Sequence, residues 1–148
     1  MKKTWKIKKK QVNHNMLYFA YGSNLNHFQM RRRCKDSFFL KKYKLKNFRL
    51  FFRSKYKVAD IEKKNKSVVH GALYEISKGD EKKLDIYEDF PRLYKKKYFY
   101  YYNKKVMTYI MPKKTKFMYP NQKYLNIIRG GYNDCKLDIN YLKKALHY

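Results

Sequence analysis

At 148 residues the chain has the length of about one domain, and its 44% hydrophobic content supports a core without disulfides. It carries 38 basic and 11 acidic side chains, a formal net charge of +27, with 17 tyrosines and 10 phenylalanines, so the core is aromatic-rich and the chain strongly cationic. No run approaches the ~20 apolar residues of a membrane span, Cys34 and Cys135 form no CxxC pair, and His14, His27, His70 and His147 show no metal-ligand spacing.

Residues 1–15 are basic and polar and lack the apolar segment of a secretory signal. They read as a loose N-terminal extension before a single domain at 16–148, which gives a cytoplasmic protein with two buried, reduced thiols as the expectation. Leu17 to Ala20 suit a buried strand, and Gly22 removes the side chain where the backbone must turn. Ser23 or Asn24 can then cap a helix over 26–33, leaving backbone N–H groups at its start that can hold an oxyanion or a carboxylate. Such a strand-turn-helix junction is also among the commonest connections in any mixed domain.

Phe38 to Phe52 alternate in part with Lys and Arg, as strands wet on one face do. The polar run Lys63-Lys64-Asn65-Lys66 predicts a hairpin turn, followed by a strand over 67–76 in which Gly71 marks a bulge or a close backbone approach. Ser77 with Asp80 three positions on resembles a capping box and starts a helix that Pro91 cannot continue. Two strands follow at 94–102 and 106–111 around a turn at Asn103-Lys104. The tail has helical spacing at Leu125, Ile128 and Tyr132, with Gly130 and Gly131 closing that helix, and again from Leu137 to Leu146. The order argues for an α+β domain around a strongly curved or closed sheet.

Acidic residues are few enough to weigh singly. Asp80, Glu81 and Asp85 have cap or surface roles open to them, and Asp134 and Asp138 lie near a helix start. Glu88 stands apart, because it sits at a helix C-terminus, against the dipole, beside Tyr87, Phe90 and Tyr94. A surface or salt-bridged carboxylate is the plain alternative.

Tyr21-Gly22-Ser23-Asn24-Leu25, then Met30 and Arg33-Cys34, His70 to Ile76, Leu84-Asp85-Ile86-Tyr87-Glu88, Tyr94 and Pro120 to Gly130 occur in an order that resembles the gamma-glutamylcyclotransferase family (AIG2-like proteins) from about Met16 to Tyr148. Where that family has Glu-Gly, this chain has Glu88-Asp89. The resemblance implies a small mixed β-barrel with flanking helices whose pocket binds a γ-glutamyl group. It further implies that Tyr21, Gly22, Ser23, Asn24 and Leu25 hold the substrate, that Tyr94 and Tyr124 are pocket tyrosines, and that Glu88 is the catalytic acid/base. Cyclisation to 5-oxoproline uses the substrate's own α-amine as nucleophile, so no triad, metal or cofactor is required. The implied partner is a small-molecule γ-glutamyl substrate, with nucleic acid and membrane disfavoured. Two alternatives stand beside this reading. One is a γ-glutamylamine leaving group; the other is a non-catalytic binding module using its lysines on nucleic acid, marked by steeply salt-dependent affinity.

Overall fold

A computed structural model describes residues 16–147, so the basic extension at 1–15 lies outside the described residues. Strands β1 (Met16–Ala20), β2 (Phe38–Arg53), β3 (Val58–Ile76), β4 (Lys95–Tyr101) and β5 (Lys104–Ile110) form one sheet in the order β2-β3-β1-β5-β4. β1 is central, antiparallel to β3 and parallel to β5, which explains why Leu17 to Ala20 are buried on both faces. Four helices flank the sheet: α1 (His27–Arg33), α2 (Lys78–Tyr87), α3 (Gln122–Asp134) and α4 (Ile139–Ala145). The α+β class expected from the sequence is the one observed.

The expected closure of the sheet is not. Among the described strands β4 pairs only with β5 and β2 only with β3, apart from an isolated bridge between Arg53 and Phe117, so the sheet stays open between its edges. Side chains bridge that gap: Tyr43 of β2 stacks on Phe99 of β4 with centroids 5.8 Å apart, Tyr101 meets Tyr43 edge-on at 5.6 Å, and Lys41 Nζ donates to the Tyr101 hydroxyl. A curled sheet sealed by aromatic rings therefore stands in place of a hydrogen-bonded barrel.

The β2-β3 turn falls at 54–57, with Ser54 and Lys57 in the left-handed region, and not at Lys63 to Lys66. Those lysines lie inside β3, where the register jumps between Lys46 and Phe48 so that residues 64–67 face Asn47 alone. Asn47 and Lys66 both take positive φ, and Asn47 Oδ1 accepts from Lys66 N. The polar run is thus a corner of the hairpin, and corner and turn share a composition because both interrupt the ladder. Gly71 is a close approach, as expected: a Cβ there would lie 2.4 Å from Ala20 O and 2.5 Å from the Phe19 ring.

Two helix boundaries also differ from expectation. Asn26, not Ser23 or Asn24, caps α1, its Oδ1 accepting from Gln29 N, because residues 23–25 first make a 3-10 turn. Gly130 and Gly131 lie within α3, which runs on to Asp134, and neither has positive φ. Gly131 instead lets α3 press against that turn, since its Cβ would come within 2.5 Å of Leu25 Cβ and 2.6 Å of Asn26 N. The capping box at α2 is complete: Ser77 Oγ accepts from Asp80 N and the Asp80 carboxylate from Ser77 N. Asp138 caps α4, and Asp134 accepts from His27 N at the start of α1. Both cysteines are buried free thiols.

Candidate active site

The elements that meet at the C-terminal end of β1 enclose a cavity of about 380 Å³. Its wall combines the segment 21–24 after β1, Ala59 of β3, Glu88 just beyond α2, Tyr94 before β4, Tyr109 of β5 and Tyr124 of α3. Gly22 allows this convergence, because a Cβ would sit 3.2 Å from Ala59 Cβ and 3.3 Å from the Tyr124 hydroxyl. The two tyrosines hold the backbone of one residue of β3 on both sides: Tyr124 accepts from Ala59 N at 3.0 Å and Tyr94 donates to Ala59 O at 2.5 Å.

The 21–24 segment is held from behind by its side chains. Tyr21 donates to Tyr109 O, Asn24 Nδ2 donates to the Tyr18 hydroxyl, and Tyr74 donates to Asn24 O. The 3-10 turn uses the N–H of Leu25, bonded to Gly22 O, and that of Asn26, bonded to Ser23 O. The N–H groups of Gly22, Ser23 and Asn24 have no protein acceptor among the described residues, and all three residues border the cavity. They form a short run of donors suited to an anionic oxygen.

Glu88 lines the same cavity as that run. It is half-buried, its carboxylate has no hydrogen-bond or ion-pair partner among the described residues, and it borders the cavity. Burial pushes its carboxyl up to about 7, with Arg33 pulling the other way. The phenols around it, Tyr18, Tyr21, Tyr94 and Tyr124, are all raised by burial, so they stay neutral hydrogen-bonding groups at physiological pH. The Glu88 carboxyl therefore shares one cavity with neutral phenols and a backbone donor run, while the neighbouring Asp89 is paired with Arg92, an arrangement that suits proton transfer near neutrality beside a developing anion.

Seven of the eight residues singled out in the sequence, Tyr21, Gly22, Ser23, Asn24, Glu88, Tyr94 and Tyr124, line this one cavity. Leu25 does not; its side chain is fully buried behind the turn, where it receives Gly131. Sequence reading places Tyr18 only in the buried strand and Arg33 only in the Arg33-Cys34 pair of the resemblance, and it assigns no site role to these two or to Tyr109. Nothing among 17 tyrosines marks Tyr18 and Tyr109 as cavity residues. Asp85 was weighed only as a cap or surface group, yet it accepts from the Tyr109 hydroxyl and pairs with Lys96.

A family model described as "Gamma-glutamyl cyclotransferase, AIG2-like" matches residues 18–132, which includes every wall element described above. The chain belongs to this family. Among solved structures it is similar to one described as "Gamma-glutamyl cyclotransferase" (TM-score 0.71, 24% identity, 88% of this chain and 85% of that one). An uncharacterized protein of Homo sapiens is similar at TM-score 0.72 and 23% identity, over 90% of this chain and 87% of its own. YkqA of Bacillus subtilis gives TM-score 0.72 and 21% identity, over 97% of this chain and 56% of its own. At these identities the likeness is one of fold. No curated protein is matched.

Among the described residues no group of three His, Cys, Asp or Glu side chains is placed to hold a metal ion, and no helix is long and apolar enough to cross a membrane.

Proposed function

We propose that the chain is a γ-glutamyl cyclotransferase that converts a γ-glutamyl amide to 5-oxoproline and a free amine or amino acid, with Glu88 as general acid/base. The observation that carries this reading is a single cavity lined both by Glu88, whose carboxyl is pushed up to about 7 by burial, and by Gly22, Ser23 and Asn24, whose N–H groups are unoccupied among the described residues. In the reaction the substrate α-nitrogen bonds to its own γ-carbon and the bond from that carbon to the leaving nitrogen breaks. Glu88 accepts the proton that the attacking nitrogen loses and returns it to the departing one. The backbone N–H groups take the anionic oxygens of the glutamyl group, and Tyr94 and Tyr124 hold the opposite wall.

The raised carboxyl matters quantitatively. Taking a proton from an α-amine near ~8 is uphill by nearly four pH units for an ordinary Glu near ~4.3, or about 5 kcal/mol. With Glu88 at about 7 the same step is uphill by about 1.4 kcal/mol.

Purified Glu88→Gln tests the assignment. It keeps the shape of the side chain but cannot shuttle the proton, so release of 5-oxoproline from γ-glutamyl amides should fall by at least ~100-fold. Turnover equal to the wild type would remove Glu88 from the mechanism.

A further inference from the structure

Three arginines end α1, and only the last turns inward. Arg31 and Arg32 are exposed, and Arg32 lies over the exposed ring of Phe28. Arg33 is half-buried, and one of its terminal nitrogens donates both to Ser23 Oγ (3.1 Å) and to Asn24 Oδ1 (2.5 Å). Its guanidinium carbon sits 3.4 Å from the centre of the Tyr87 ring, and the Tyr87 hydroxyl in turn lies 3.3 Å from Ser23 Oγ. These contacts close a loop: α1 to the donor run, the donor run to Tyr87, and Tyr87 by one peptide bond to Glu88.

We propose that Arg33 is a positioning residue for this site, a clasp that fixes the donor run of 22–24 at a set distance from Glu88. The inference rests on the cyclotransferase reading for its catalytic consequence, while its structural content stands without turnover. The argument is one of geometry. Tyr21, Asn24 and Tyr74 tie the donor segment to the sheet from behind, while Glu88 follows the last residue of α2. The two halves meet at the Ser23 Oγ–Tyr87 hydroxyl contact, and Arg33 bonds to the first of these residues and stacks on the second. Arg33 has the planar face to stack on Tyr87 while its edge donates to two oxygens, which a lysine cannot do together.

Arg33 also acts on the Glu88 charge. The titratable groups around that carboxyl are Tyr18 on β1, Tyr21 beyond it, Tyr94, Tyr109 on β5, Tyr124 on α3 and Arg33 on α1, with Tyr56, Tyr87 and the Arg92-paired Asp89 also on the cavity wall. The phenols are neutral, so Arg33 is the charged group that favours the ionised carboxylate.

Comparing Arg33→Gln, Arg33→Lys and the neighbouring Arg32→Gln separates the two effects. Misplacement of reacting groups by about 1 Å costs on the order of 100-fold, so kcat should fall steeply in both Arg33 variants, with KM changing far less, and stay unchanged in Arg32→Gln. A carbon-detected titration of the Glu88 carboxyl should show its midpoint rising in Arg33→Gln but not in Arg33→Lys, which keeps the charge. Amide exchange at Ser23 and Asn24 should quicken in both. If the wild type turns over no γ-glutamyl amide, the proposed function fails, and the exchange and titration still decide the role of Arg33. Should Arg33→Gln not fold, Arg33→Lys decides through exchange and kcat. Folded variants with unchanged exchange at 22–24 and unchanged kcat would overturn the proposal.

Discussion

Replacing Glu88 by Gln should make the folded chain more stable at alkaline pH, in the same substitution that removes activity. The carboxyl ionises near 7 in the folded protein against an ordinary 4.5, because burial penalises its charged form. A raised value means that the folded state holds the proton longer than the unfolded one. The contribution is fully present below about 4.5 and is lost as pH rises through about 7. At 1.36 kcal/mol for each pH unit the loss is about 3 kcal/mol, and since Glu88 is half-buried and open to the cavity, about 2 kcal/mol is the fair expectation. Urea unfolding of wild type and Glu88→Gln at pH 5 and pH 8 measures it. The variant should gain about 2 kcal/mol relative to wild type between the two conditions. An equal difference at both pH values would refute the claim that this carboxyl is held protonated by burial, and with it the reason for its suitability as an acid/base.

If the ionised Glu88 is the working base, kcat/KM should rise with pH through about 7, and a flat profile from pH 5 to 8 would deny it that role. Gly131→Ala places a methyl within 2.7 Å of Leu25 and Asn26 backbone atoms, so it should cost about 1 to 3 kcal/mol by thermal unfolding, as overpacking does. Gly130→Ala meets only the Asn26 side-chain amide within 3 Å, and helix propensity offsets that contact, so its effect should stay within about 1 kcal/mol. Tyr124→Phe leaves the buried Ala59 N–H without its acceptor, which should cost about 1 to 3 kcal/mol and widen the pocket wall; unchanged stability would mean that water replaces the hydroxyl.

Much of the local grammar was legible because it is written in neighbouring residues. The capping box at Ser77 and Asp80, the buried strand before Gly22 and the close approach at Gly71 each follow from side-chain size and backbone chemistry at one place. Glu88 was legible for a similar reason: a carboxylate against a helix dipole among aromatic residues is a local contradiction. The errors share the opposite cause. Lys63 to Lys66 read as a turn because polarity signals an interruption of pairing without saying whether the chain reverses or bends. Gly130 and Gly131 read as a helix end because glycine tolerates both left-handed backbone and close packing, and only the approach of Leu25 and Asn26 says which applies.

By itself the sequence determined the α+β order of elements, the glycine-hinged segment after β1 and the one acidic residue whose position lacked a local reason. Tertiary structure alone decided that the sheet curls without closing, that Tyr18 and Tyr109 among 17 tyrosines reach the cavity, and that Arg33 rather than its two neighbours grips the donor run. The division is physical. Caps, turns and strand burial depend on contacts a few residues apart, whereas the cavity is made by groups as distant as Tyr18 and Tyr124, whose meeting depends on how the whole sheet folds around them.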